Sequence, residues 1–542
     1  MTDLAAASEA TAAARALVDR AAAVLAERSA DGARISVDRL DEQQVLAYDL
    51  AHAAAAVACA EVMLGYGAHG DHEAALAGVF IADALADLAG RLSGRVELWG
   101  VGEEALAPAR AFVRRWRDPQ TLASVADELG TGGTGAAHLP EEFDLVRETF
   151  HRFAAERIRP VAEHIHRHND DIPEDIIRGL AEIGGFGLSV PEAYGGFAAG
   201  GDADYLAMCV ATEELSWGSL GAGGALITRP EILTRAIVKG GTEEQKHRWL
   251  PAIASGERIV GVMVTEPDYG SDVAGITTTA TPTEGGWLLS GVKTWATFAG
   301  RADTLMVLAR TDPDRTLGHR GLSVFVVDKP PAAGHHFAFD DGRGGKVEGR
   351  AIDTLGYRGM HSFEVAFDNW FVPADALIGG EGGLGKGFYL QMEGFENGRL
   401  QTAARAVGLM QAAFDAALAY ARERVVFGRP IFDYQLTKAK LARMAALIGA
   451  GRQFSYDVAR RMARGEGALE ASMVKAYVCR AAEWVTREAM QIHGGMGYAE
   501  EYPVSRYFVD ARVLSIFEGA DETLCLRVIA RRLAEQALTG AT

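Results

Sequence analysis

Cysteine is scarce in this chain of 542 residues. Its four cysteines, Cys59, Cys209, Cys479 and Cys525, form no CxxC pair and sit in apolar, helix-like surroundings. That excludes a disulfide framework and points to buried free thiols in a reducing compartment. Positive charge is also in deficit. The formal net charge of −19 argues against nucleic acid as a partner. It leaves room for a local arginine cluster that binds a carboxylate. The first residues, MTDLAAASEA, lack the basic region of a signal peptide and carry Asp3 and Glu9. No apolar run looks long or hydrophobic enough to span a bilayer. The richest, Ala51 to Ala68, is rich in alanine but contains His52 and Glu61. A cytoplasmic protein with no membrane partner is expected.

Three further patterns stop short of completion. His164, His166 and His168 lack a cysteine or acid cluster, so no metal is expected. The stretch Gly380 to Gly387 nearly spells a phosphate-binding loop. Gly387 stands where a magnesium-holding hydroxyl belongs, and a flexible connection is expected instead. The alanine-rich helices sustain no heptad repeat.

What is present is a change of period along the chain. Apolar residues recur at helical spacing in Leu40–Leu64 and Ala74–Leu92, separated by Gly65, Gly67 and Gly70. The glycine-rich run Gly130 to Ala136 reads as a linker. Helical spacing resumes from Pro140 to about Ser255. From Arg258 to about Val372 the period falls to two, with strands expected at Trp287–Ser290, Thr304–Ala309, Leu322–Asp328 and Phe363–Phe371. Long helices return from Gly387 to Leu538. An α+β fold follows, in four segments: 1–135, 136–257, 258–376 and 377–542. The first segment echoes the last. Gln44 precedes Leu50-Ala51 as Gln435 precedes Leu441-Ala442, and each begins an alanine-rich helix followed by a glycine-containing turn and an acidic helix start.

Four ordered motifs carry the chemistry. GVMVTEPDYGSDVAG, from Gly261 to Gly275, runs from a strand into a polar turn able to aim N–H groups and hydroxyls at a phosphate or a flat ring. Lys293-Thr-Trp-Ala-Thr297 follows a strand. Later come QIHGGMGY, from Gln491 to Tyr498, and IFEG, from Ile516 to Gly519. Together they resemble the signatures of the acyl-CoA dehydrogenase family, over about residues 140 to 540.

The resemblance implies FAD as cofactor and an acyl-CoA substrate. It implies a flavin ring against Val264, Thr265, Trp295 and Thr297, with Gly270 and Ser271 near the pyrophosphate. Alternation along a strand would put Trp295 and Thr297 on one side. Arg424 and Phe427 in ERVVFG, with Gln491 and Gly495 in QIHGG, match contacts that family members borrow from a neighbouring subunit, so at least a homodimer is implied. Glu518 matches the catalytic base, which takes the α-proton of the thioester. The alternative base position corresponds to Gly398, which has no side chain, and Glu396 lies two residues earlier. Ala520 stands where many members have a hydroxyl, whose role could pass to Asp521. An electron-transferring flavoprotein is the implied electron acceptor.

The acyl group is sought in LITRPEILTRAIVK, from Leu226 to Lys239. Arg229 and Arg235 there are costly beside an apolar tail unless a substrate carboxylate meets them; otherwise they face solvent or pair with Glu231. Glutaryl-CoA dehydrogenases place an arginine where Gly223 stands. The helical extension and this arginine-bearing segment resemble the methylsuccinyl-CoA dehydrogenase branch. That implies oxidation of 2-methylsuccinyl-CoA to mesaconyl-CoA in the ethylmalonyl-CoA pathway, with Arg399 near the CoA or the carboxylate. The alternatives are a short-chain monocarboxylic acyl-CoA dehydrogenase and a non-catalytic, DNA-binding member of the superfamily. The echo is either a likeness of composition between two alanine-rich hairpins or a copy of the helical pair that joins family dimers into tetramers; the copy implies a chain that covers its own tetramer-forming surface and stops at a homodimer.

Overall fold

The computed structural model describes residues 4–540, which form two compact units. One unit comprises residues 141–401. The other joins residues 4–140 to residues 402–540. The helix Gly387–Glu423 passes from the former to the latter at Gln401.

Residues 141–401 begin with helices and end in a sheet, the α+β arrangement expected from the change of period. Helix Glu243–Ala254 shows why these segments start where they do. Thr242 accepts from the Gln245 N–H, and the Gln245 side chain accepts from the Thr242 N–H, a reciprocal cap. The eight strands are β1 (Val260–Met263), β2 (Thr279–Thr283), β3 (Gly286–Thr297), β4 (Thr304–Arg310), β5 (Leu322–Asp328), β6 (His336–Asp340), β7 (Lys346–Ile352) and β8 (Ser362–Pro373). Their order is β1-β4-β2-β3-β8-β7-β6, with β5 also paired to β4. Strands β4 and β5 are mostly apolar and almost wholly buried. They pack with helix Thr228–Gly240 in a core that includes Ile232, Ile237, Leu250, Met306 and Val324. Strands β2, β6 and β7 are not evident in the sequence, because each is short or broken by charged and small residues and buries only one or two side chains fully.

In the other unit, helix Gln44–Tyr66 packs against Leu4–Ser29, Asp71–Leu92, Gln435–Ala463 and Ala468–Ile492. The run judged too short to cross a membrane thus belongs to a 23-residue helix that would qualify by length and composition. Burial corrects that reasoning: 72% of its most apolar window is inside the unit. The glycine-rich run after residue 130 is not a free linker either. Thr134 is buried and donates to Gln411 at 2.7 Å, while Tyr66 donates to the Ala136 carbonyl at 3.1 Å. Glycine there allows close packing. The run Gly380–Gly387 is similarly fixed within its unit, with the Gly385 N–H on Ser323 Oγ.

Candidate active site

The turn after β1 is built on a glutamate. Glu266 is buried and accepts from Lys293 Nζ (2.9 Å), the N–H groups of Thr277 (2.6 Å) and Thr278 (2.8 Å), and the Thr277 hydroxyl (2.7 Å). Lys293 also donates to the Val264 carbonyl at 2.9 Å. Burial opposes ionisation of Glu266, but the Lys293 charge and these donors outweigh it and hold its carboxyl at about 2. Burial lowers Lys293 to about 8, only partly offset by Glu266, so the pair is charged at neutral pH. This clamp fixes the strand ends that carry Val264, Thr265 and Trp295. A glutamate in a polar turn and a lone lysine in an apolar strand were its only sequence signal.

Above the clamp the backbone of β3 leaves its regular path. Opposite β8, Lys293 pairs with Val365 and Ala296 with Phe363, so two residues face one. Trp295 sits in this bulge with φ of +55° and is 56% exposed, whereas Thr297 is buried and shares a 3.1 Å hydrogen bond with Ser362. The bulge thus interrupts regular strand alternation between Lys293 and Ala296, just before Thr297. Thr265 is half-buried, and Gly270 and Ser271 are exposed.

In the other unit, Arg424, Phe427, Gln491 and Gly495 are all exposed. Val425–Val426 and Arg429–Pro430 form a hairpin whose two-residue turn is Phe427-Gly428, with φ of +49° and +85°. Phe427, 92% exposed, is its tip. A bulky residue in the left-handed region is rare and strained. Tyr420, just before the hairpin, stacks on His493 at 4.3 Å, and Tyr502 meets both rings. This trio joins the ERVVFG and QIHGG segments. His493 is thus a buried packing residue, with Nδ1 on the Ala489 carbonyl at 2.8 Å. A Cβ at Gly495 would meet nothing, so a ligand can approach the backbone there.

Glu518 lies in the same unit, on the loop between helix Val504–Leu514 and the turn Asp521–Thr523. It is half-buried, with φ of +53°. The loop is closed by the Asp521 N–H on the Ser515 carbonyl (3.0 Å), and the buried Lys475 donates to the Gly519 carbonyl (2.6 Å). The guanidinium of buried Arg405 lies 4.7 Å from the Phe517 ring centroid. Asp521, considered as a substitute for the missing hydroxyl, is already engaged. Tyr48 donates to it at 2.6 Å and His52 Nε2 at 3.0 Å. Burial opposes its ionisation, but the His52 hydrogen bond and charge lead the effects that hold its carboxyl below the usual range.

The arginines separate. Arg235 lies 4.6 Å from the Tyr205 ring centroid and 3.5 Å from Glu231, so it is taken up locally. Arg229 is 5% exposed and donates to the Tyr357 hydroxyl at 3.1 Å. Tyr357 has φ of +57°. A Cβ at Gly223 would come within 2.5 Å of the Leu215 carbonyl, so no arginine fits there without backbone movement. Gly398 is buried and Arg399 half-buried on helix Gly387–Glu423. At the histidine run, His166 is buried. Asp170 lies 3.0 Å from exposed His164, so the run does have an acid beside it.

Family models for the N-terminal, middle and C-terminal domains of acyl-CoA dehydrogenases match residues 140–257, 261–370 and 385–534. The (2S)-methylsuccinyl-CoA dehydrogenase of Cereibacter sphaeroides is 38% identical over 98% of both chains. Butyryl-CoA dehydrogenase from Megasphaera elsdenii is 30% identical with a TM-score of 0.65, over 72% of this chain and 98% of that one. A chain solved in work on the electron transferring flavoprotein of Acidaminococcus fermentans is 31% identical with a TM-score of 0.66, over 73% of this chain and 98% of that one. This chain belongs to the acyl-CoA dehydrogenase family, and it is an FAD-dependent oxidoreductase. Its residues suit that cofactor: exposed flat rings at Trp295 and Phe427, an exposed cation at Arg424 and open backbone at Gly495.

Proposed function

We propose that this enzyme introduces a Cα–Cβ double bond into a short, branched dicarboxylyl-CoA, 2-methylsuccinyl-CoA, giving mesaconyl-CoA. The observation that carries this is Arg229. It is a buried cation that donates to the Tyr357 hydroxyl, in a segment that the resemblance to the family puts beside the acyl group. A substrate carboxylate in reach of this guanidinium would form a charge-assisted pair. The similarity to the Cereibacter sphaeroides enzyme extends through the N-terminal segment, which also supports this choice.

In this mechanism Glu518 takes the proton from the α-carbon onto its carboxylate. Acceptance of the β-hydride is the chemistry that FAD supplies when bound. Val264, Thr265, Trp295 and Thr297 would hold the ring, Gly270 and Ser271 the pyrophosphate, and Arg424, Phe427, Gln491 and Gly495 of a second copy the remaining half. Arg399 would serve CoA or the carboxylate, and Arg235 is the weaker partner because Glu231 and Tyr205 already engage it. Packing of hairpin 44–92 on hairpin 435–492 supports a homodimer, since an extension seated there covers apolar surface that a further dimer would otherwise use. An electron-transferring flavoprotein would take the electrons onward, in the cytoplasm.

The test is a substrate comparison read by flavin bleaching. 2-Methylsuccinyl-CoA should bleach the enzyme much faster than butyryl-CoA. Arg229→Leu should slow the dicarboxylyl substrate ten- to a hundredfold, the worth of a charge-assisted bond of roughly 1.5–3 kcal/mol, and spare butyryl-CoA. If butyryl-CoA is the better substrate of the unaltered enzyme, the dicarboxylate assignment fails and a monocarboxylic activity stands.

A further inference from the structure

The loop that carries Glu518 is held from a distant part of the chain. Tyr48 and His52 are one turn apart on helix Gln44–Tyr66, so both side chains leave the same face. Both donate to Asp521 Oδ2, at 2.6 and 3.0 Å. Their rings meet edge to face, with centroids 4.8 Å apart. Arg480 donates to the Tyr48 hydroxyl at 3.4 Å, and the Cys525 thiol lies 3.4 Å from His52 Nε2. His52 and Asp521 are both buried. Asp521 in turn closes the loop through its N–H on the Ser515 carbonyl. Glu518 lies inside that closed turn with φ of +53°, and an L-residue keeps such a backbone only where its surroundings impose it.

We infer that Tyr48 and His52 are positioning residues for the reaction, holding the Glu518 loop in its working shape through Asp521. The inference rests on Glu518 as the base. On this account the N-terminal segment has a part in catalysis as well as in assembly. The helices of the C-terminal segment hold the loop at Gly519 and Ser515, and the N-terminal helix supplies the hold at Asp521.

The experiment uses the full-length, FAD-loaded enzyme and reads the rate of flavin reduction at saturating substrate, the KM, the FAD content and the melting temperature. Glu518→Gln is run in parallel. His52→Ala should lower the limiting rate about tenfold or more with KM and FAD content little changed, since a misplacement of an ångström can cost ~10²-fold. His52→Gln, whose amide can donate from nearly the same place, should restore most of the rate. Tyr48→Phe removes one hydroxyl with its packing kept, and should lower the rate several-fold; it provides the test if His52→Ala does not fold. Loss of melting temperature with an unchanged limiting rate in both Tyr48→Phe and His52→Ala would make the contact merely structural and overturn the inference. Near-normal reduction by Glu518→Gln would remove the base assignment itself, and the inference with it, a result that the His52 variants cannot mimic.

Discussion

Two glutamates, each inside a signature motif, are treated in opposite ways. Glu266 is buried in ordinary backbone and accepts four hydrogen bonds, one of them from a lysine. Glu518 is half-buried, in a left-handed backbone, on a loop held at Gly519 and at Asp521. The first geometry keeps a carboxylate charged and stationary. The second fixes the chain on either side of the carboxylate that we propose as the base. The lesson is that a motif's acid can be its anchor, and that the backbone and contacts around each acid tell where an anchor is built.

Exchange of the two acids sharpens this contrast. Glu518→Gln should lower flavin reduction by ~10²–10⁴-fold, the usual contribution of a general base, with FAD retained. Glu266→Gln should instead act on stability. It leaves Lys293 buried without its counter-charge, which costs about 3–5 kcal/mol, readable by denaturant unfolding. A stable but inactive Glu266→Gln, or an unstable Glu518→Gln, would break the comparison.

Acid should expose the same asymmetry more gently. Glu266 has a folded pKa of about 2 against an ordinary 4.5, so its stabilisation is fully present above pH 4.5. It is lost as pH falls through that range toward 2, because the unfolded chain binds the proton first. The unfolding free energy of the native protein should fall across this window, and the Glu266→Gln variant should lack that component. The smallest effect concerns strain. Glu518→Gly should raise the unfolding free energy by about 0.5–1 kcal/mol, since glycine removes the left-handed penalty but loses more chain entropy. A destabilised Glu518→Gly would mean that the loop gains more from this side chain than its backbone costs.

Much of the scaffold was legible in the sequence. Helix Asp71–Leu92 and strand Leu322–Asp328 follow from the spacing of their apolar residues, because a long buried face imposes its own period. The four motifs led to the family in the same way. Less legible was everything set by contacts between distant residues. The tether from His52 to Asp521 spans 469 positions, and no local pattern encodes it. The bulge at Trp295 was not legible either, because it depends on the register of a partner strand. Arg229 and Arg235 look alike in sequence, and only the placement of Glu231, Tyr205 and Tyr357 distinguishes them.

Helix Gln44–Tyr66 also has a consequence for biosynthesis. Two of its packing neighbours, Gln435–Ala463 and Ala468–Ile492, lie more than 350 residues downstream. At ~5–20 residues per second, the ribosome takes roughly 20–70 s to deliver the first of them. Throughout that time an apolar surface resembling a membrane anchor is only partly covered by its sequence neighbours. Nascent-chain handling of this one helix thus becomes part of how the enzyme reaches its folded state, and its early exposure sets a kinetic demand that the finished structure conceals.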